Sequence, residues 1–191
     1  TGIDTGMGLE RLAIITQGVK SVYETDLFKP FIEKMVQLTK RPYDPKTEVA
    51  YHVIADHIRA IVFVMIEKTL PSNEGRGYVI RRILRRAMRY GQFIGMKDPF
   101  LNQLVPLVTD IMGEDYPEIK PKQEQIQKDI LVEEESFLKT LEEGSQYLVN
   151  LMEQNKSKGI NVIPGEEAFK LYDSRGFPID ITRDMATEQG M

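Results

Sequence analysis

Val53, Ile54, His57, Ile58, Ile61, Val62 and Met65 recur at helical intervals between Thr47 and Lys68. A mostly apolar stripe of that length has to be buried against another element, so the chain must build a core around a long helix here. A partner follows at once. Pro71, Ser72, Asn73, Gly75 and Gly77 carry turn chemistry, after which Ile80, Ile83, Leu84 and Ala87 restore a helical period. The pattern predicts two packed helices with a turn of polar side chains between them.

The remaining segments read as helices too, and the expected fold class is mainly α. Leu9 to Ile15 predicts a short helix entered through Gly6 and Gly8 and left through Gly18. Asp26 is a candidate N-cap for a helix to Leu38 that buries Phe28, Ile32, Met35 and Val36, and Arg41 to Pro45 then makes a loop. Gly91 and Gly95 end the segment after the turn. Asp98 can then cap a helix carrying Leu101, Leu104, Val105, Val108 and Met112 to Gly113. Tyr116 to Pro121 is a link, and Pro121 suits the first turn of a long charged helix. In that helix Ile126, Ile130, Phe137, Leu141, Leu148 and Leu151 approximate a three-four spacing, the pattern of a helical strut. Beyond Gln154 to Gly159, Glu166 to Tyr172 predicts a helix and Ser174 to Pro178 a turn.

Composition narrows the class. An apolar fraction of 41% with 28% charged residues belongs to ordinary globular chains rather than disordered or membrane ones. The longest apolar run, Ile58 to Ile66, is interrupted by Arg59, so no spanning segment and no membrane partner is expected. The lack of cysteine excludes disulfides, thiolate metal sites and thiol catalysis, and suits a cytoplasmic location. The chain starts at Thr1 without a signal-peptide pattern and reads as an excised fragment.

Net charge is only −4, yet Arg76, Arg81, Arg82, Arg85, Arg86, Arg89 and Lys97 fall between Gly75 and Lys97 with no acidic residue among them. On a helix Arg81, Arg85 and Arg89 share one ridge and Arg82 and Arg86 the next, while Ile80, Ile83, Leu84 and Ala87 face away. Arginine forks in such an array suit phosphates, which they bind in pairs of hydrogen bonds without sequence choice. Asn73, just before the helix, is the nearest side chain that both donates and accepts, though alone it is more often a turn residue. The competing reading is that the arginines pair with the carboxylates of the long helix, Glu133, Glu134, Glu135, Glu142 and Glu143. Thr5 to Arg11, TGMGLER, lacks the third glycine of a dinucleotide fingerprint and the lysine and hydroxyl of a P-loop. It offers close backbone approach followed by an arginine. His57 is expected to be structural, because two histidines without cysteine make a poor metal set. Arg59 and Lys68 are expected to be solvated.

In order along the chain, IDTGMGLERLA, YETDLF, VIADHIRA, LPSNEGRGYVIRRILRRAMRYG and AFKLYDSRGFPIDIT resemble the alanyl-tRNA synthetase family. The resemblance covers essentially the whole chain, and PSNEGRGYVIRRILRRA and LYDSRGFP are its most specific parts. It implies that residues 1–24 close a class II catalytic domain and that 25–191 form a helical domain recognising the tRNA acceptor stem, with a subregion at 160–191. Most of the active site would then lie upstream and a zinc-bearing editing domain downstream. The fragment alone would not be catalytically competent, and no metal is expected in it.

The implied chemistry is activation of alanine with ATP and Mg²⁺, then transfer to tRNA(Ala), with neither cofactor expected on this fragment. By motif, Arg11 would meet the ATP phosphates, Gly6 and Gly8 would line the site, and Asp4 would face alanine's ammonium group. Asn73 and Asp173 would read a guanine–uracil wobble pair, with Arg76, Arg81, Arg82, Arg85, Arg86 and Arg89 as holders. Read from the residues alone, Asp173 before Ser174 and Gly176 is more often a turn former than a base reader. A free-standing nucleic-acid-binding module and a helical interaction protein using its long acidic helix are the rival readings.

Overall fold

The computed structural model describes Gly2 and residues 4–191. Among these residues the helices are α1 (Leu9–Gln17), α2 (Lys29–Thr39), α3 (Glu48–Ile66), α4 (Gly75–Phe93), α5 (Val105–Met112), α6 (Gln123–Ser157), α7 (Gly165–Arg175) and α8 (Ile179–Glu188). Tight 3-10 turns lie at Val22–Glu24, Leu101–Leu104 and Pro117–Lys122, and no described residue is in a strand. The mainly α expectation holds. The chain forms two compact units, Thr1–Glu134 and Glu135–Met191, and α6 contributes residues to both. Ile3, within the IDTGMGLERLA segment, lies outside the described residues.

The first unit is built on α3 against α4, the pairing the apolar stripes require. Ile54, Ile58, Ile61, Val62 and Met65 are buried as expected, joined by Tyr51, Ala55 and Ile66. From α4 come Ile80, Leu84, Ala87 and Met88. Contrary to the expectation of no spanning segment, α3 is long and apolar enough to cross a bilayer by length and composition alone. Its buried stripe is accounted for by packing on α4.

Helix starts differ from the sequence expectations for local reasons. Asp26 caps nothing: its Oδ1 accepts from Gln17 Nε2 at 2.6 Å, and α2 begins at Lys29 with Pro30 in its first turn. Asp98 does not cap either. The segment after it winds first as a 3-10 turn, and its amides are met by Glu134, whose Oε1 accepts from the N–H of Phe100 and Leu101, both at 2.8 Å. Glu134 Oε2 accepts from the Asn102 backbone N–H at 3.1 Å and from Asn102 Nδ2 at 2.8 Å. Pro121 lies inside the 3-10 turn that precedes α6 rather than in its first turn. Gly91 continues α4 instead of ending it, and it is glycine for packing: an ideal Cβ there would lie 2.4 Å from the Phe100 ring.

In the second unit α6 buries Phe137, Leu141, Leu148 and Met152, so Met152 takes the place expected for Leu151. Phe177 is fully buried, and its ring lies 2.1 Å from where a Cβ on Gly144 would stand. Tyr147 Oη donates to Glu167 Oε2 at 2.8 Å and stacks under the Arg175 guanidinium at 4.7 Å. The expected turn at Ser174 to Pro178 is only its second half. Helix α7 continues through Arg175, Gly176 closes it with φ 66°, and α8 follows where no helix was expected.

Candidate nucleic-acid interface

Helix α4 splits its arginines by depth. Arg76, Arg82 and Arg86 are exposed, while Arg81, Arg85 and Arg89 are half-buried. The half-buried ridge meets α6: Glu133 Oε1 accepts from Arg85 Nε at 2.9 Å, and Glu133 Oε2 accepts from Arg81 Nε at 3.1 Å and stands 3.0 Å from Arg81 Nη2. The third nitrogen of Arg81, Nη1, donates to Oδ1 of Asn73. The pairing anticipated as the competing reading therefore occurs for Arg81 and Arg85, which share Glu133, while Arg82 and Arg86 stand on the adjacent exposed ridge. Arg86 lies 5.8 Å from the Tyr90 ring centroid, and Arg89 lies 5.7 Å from that of Phe93. Arg86 also lies near Asp56, whose carboxyl is held below its ordinary range first by its hydrogen bond with His57, with Arg86 a smaller contributor.

The turn carrying Asn73 is folded back on the start of α4. Ser72 N–H donates to the Gly77 carbonyl at 3.1 Å, and Ser72 Oγ donates to the Glu74 carbonyl at 2.8 Å. Gly77 sits inside the helix, not in the turn. A Cβ there would meet Ser72 Oγ at 2.2 Å and the Leu70 carbonyl oxygen at 2.3 Å, so only glycine lets the turn lie this close. Gly75 starts the helix with φ 58°, a left-handed conformation that glycine adopts without strain. Asn73 is exposed at the tip.

Asp173 stands exposed in the last turn of α7, in the second unit, rather than in a turn. Phe169, one helical turn before it, is also exposed.

At the N-terminal end Asp4, Gly6 and Gly8 are exposed and precede α1, and Arg11 is exposed in its first turn. Open space surrounds Gly6, and only Arg11's own side chain approaches a Cβ position at Gly8, at 3.8 Å. These groups suit a phosphate in kind, since a cation stands at the start of a helix that has no side-chain cap. For a divalent cation the described residues bring together no group of three or more His, Asp or Glu. Glu10 is turned away to Arg59, with Oε1 3.1 Å from Nη2. Arg59 is not solvated as expected: its side chain is 13% exposed and its guanidinium covers the Phe28 ring at 4.2 Å. His57 pairs Nδ1 with Asp56 Oδ2 at 2.9 Å, while its Nε2 is buried without a hydrogen-bond partner.

Two parts of this arrangement escaped the sequence reading. Glu133 was one carboxylate among five candidates, and only helix phase and packing single it out. Gly77 looked like turn punctuation, although its spacing of five from Ser72 would also fit a turn pressed on a helix start.

Comparison with known proteins gives the family. A family model described as tRNA synthetases class II (A) matches residues 1–191. The alanine–tRNA ligase of Geobacillus thermodenitrificans is 53% identical over 191 residues, which is 99% of this chain and 22% of that protein. The alanine–tRNA ligase of Thermus thermophilus is 49% identical over 188 residues, or 98% of this chain and 21% of its own length. That of Streptococcus sanguinis is 49% identical over 190 residues, with 99% and 22% covered. The chain thus spans between a fifth and a quarter of the relatives it matches, and it belongs to the alanyl-tRNA synthetase family within the class II tRNA synthetases.

Proposed function

We propose that this chain is part of an alanine–tRNA ligase and that its share of the work is to hold the acceptor stem of tRNA(Ala) and read its guanine–uracil wobble pair. The observation that carries this reading is the exposed ridge of α4. Arg82 and Arg86, with Arg76 in the first turn, face solvent beside the exposed Asn73. Arginines so placed neutralise phosphates and set the position of a helix, and a neighbouring amide supplies the base contact that phosphate contacts lack. Asp173 is exposed as well. In a wobble pair guanine's exocyclic amine is left unpaired in the shallow minor groove of RNA, where a carboxylate can accept from it.

In the parent reaction the alanine carboxylate would attack the α-phosphorus of ATP and expel pyrophosphate, and the adenylate would then acylate the tRNA's terminal ribose. Arg11 and the first amides of α1 would stabilise charge on the phosphates, and Asp4 would meet the alanine ammonium group. The work of this chain's own groups is positioning and charge stabilisation, with no covalent step on a side chain.

The test is binding of two RNA hairpins that differ only in a wobble or a Watson–Crick pair. Asn73→Ala and Asp173→Ala should each reduce the preference for the wobble hairpin while leaving the salt dependence of binding unchanged. Undiminished preference in both variants would sink the reading.

A further inference from the structure

Resting on that reading, we propose that Glu133 is a positioning residue: through Arg81 it holds Asn73 with the amide NH2 outward, so that Asn73 addresses a hydrogen-bond acceptor on the RNA. The chain of contacts is complete. Glu133 has a side chain only 7% exposed and takes two nitrogens of Arg81 on one oxygen and Arg85 on the other. Arg81 keeps one nitrogen for Asn73, and that bond reaches the only exposed member of the series.

The orientation of the amide follows from chemistry alone. A guanidinium has donors and no acceptor, so the atom of Asn73 that faces Arg81 must be the carbonyl oxygen. The NH2 group is then the end left for a ligand. A donor there cannot read guanine's amine and suits a base carbonyl or ring nitrogen.

The contacts also divide labour along α4. Glu133 balances charge on Arg81 and Arg85, so phosphate contact falls to Arg82, Arg86 and Arg76, while Arg81 serves as a strut between α6 and the turn. A strut needs the planar fork, whose nitrogens point at two partners at once. Lysine, a single ammonium on a flexible stem, holds the charge but not that geometry.

The test uses the full 191-residue chain and the same two hairpins, with wild type, Glu133→Gln, Arg81→Lys and Asn73→Ala compared, and exposed Glu135→Gln as a control for the change of charge. Helicity and thermal midpoints identify any variant that does not fold. Glu133→Gln is expected to bind the Watson–Crick hairpin at least as tightly as wild type, because a carboxylate beside two arginines is gone, and to lose about fivefold in preference for the wobble hairpin. Arg81→Lys should lose a similar amount, and it decides the matter if Glu133→Gln does not fold. Glu135→Gln should keep the wild-type ratio. A general loss of structure would lower both affinities together, which this pattern does not.

Loss of preference in Asn73→Ala with full preference in Glu133→Gln and Arg81→Lys would overturn the positioning role and leave base reading by Asn73 standing. Full preference in Asn73→Ala would overturn both.

Discussion

Glu133 and Glu134, adjacent on α6, serve two different elements of the first unit: Glu133 clamps two arginines of α4, and Glu134 caps the 3-10 turn at Leu101. Successive helical residues point about 100° apart, so one helix can meet two elements through neighbouring side chains. Both carboxylates are buried, which would be costly without the donors each receives. Replacing either disturbs a different property, and the two can be separated.

Glu134→Gln should destabilise the first unit by about 2–4 kcal/mol, because an amide nitrogen would replace an oxygen that now accepts from Asn102 twice. Burial pushes the Glu134 carboxyl upward and the hydrogen bonds from Asn102, Leu101 and Phe100 oppose that shift. The loss is read from the urea midpoint at neutral pH. A midpoint equal to wild type would show that water can serve those amides.

Gly77→Ala should loosen the Asn73 turn more than it harms the helix. An alanine Cβ would lie 2.2 Å from Ser72 Oγ and 2.3 Å from the Leu70 carbonyl oxygen. Relieving that overlap costs about 1–3 kcal/mol. Far-ultraviolet dichroism should stay near wild type while preference for the wobble hairpin falls. Gly6→Ala, with open space around it, should alter neither.

The core was largely legible in the sequence because its helices are amphipathic and separated by strong breakers. The α3 stripe and the Gly18 stop, where φ is 65°, follow from period and glycine alone. Capping was not legible. Asp26 and Asp98 are good cap residues in isolation, yet Gln17 engages the first and a carboxylate 36 positions beyond the second supplies the cap. Helix α8 was missed because Ser174 to Pro178 reads as a turn, whereas Pro178 serves as the N-cap residue of a new helix. At the candidate interface, charge clustering pointed to α4, but which arginines stay exposed depends on the phase of α6.

Acid should weaken the first unit through His52. Its ring stacks on Tyr23 with centroids 3.5 Å apart, and its Nε2 lies 2.7 Å from Tyr43 Oη. Burial lowers its affinity for a proton, with Glu48 opposing. The unfolded chain, at about 6.5, then takes up a proton that the folded one refuses. Stability falls as pH drops through that value and levels off below the folded one. His52→Phe keeps a ring but cannot titrate, so the stability difference from wild type should vary between pH 8 and pH 5. Parallel curves would rule this out.

Arg82→Ala and Arg86→Ala should each weaken both hairpins alike and reduce the slope of log affinity against log salt by somewhat less than one. Anisotropy titrations at several salt concentrations give the slope. A change in wobble preference instead would make these arginines readers rather than holders.

The most direct measurement is the ratio of dissociation constants of the unmodified chain for the two hairpins at fixed salt. The proposed base contacts of Asn73 and Asp173, worth about 1–3 kcal/mol apiece when well formed, predict a preference of at least tenfold for the wobble hairpin. Equal dissociation constants for the wobble and Watson–Crick hairpins would contradict the account.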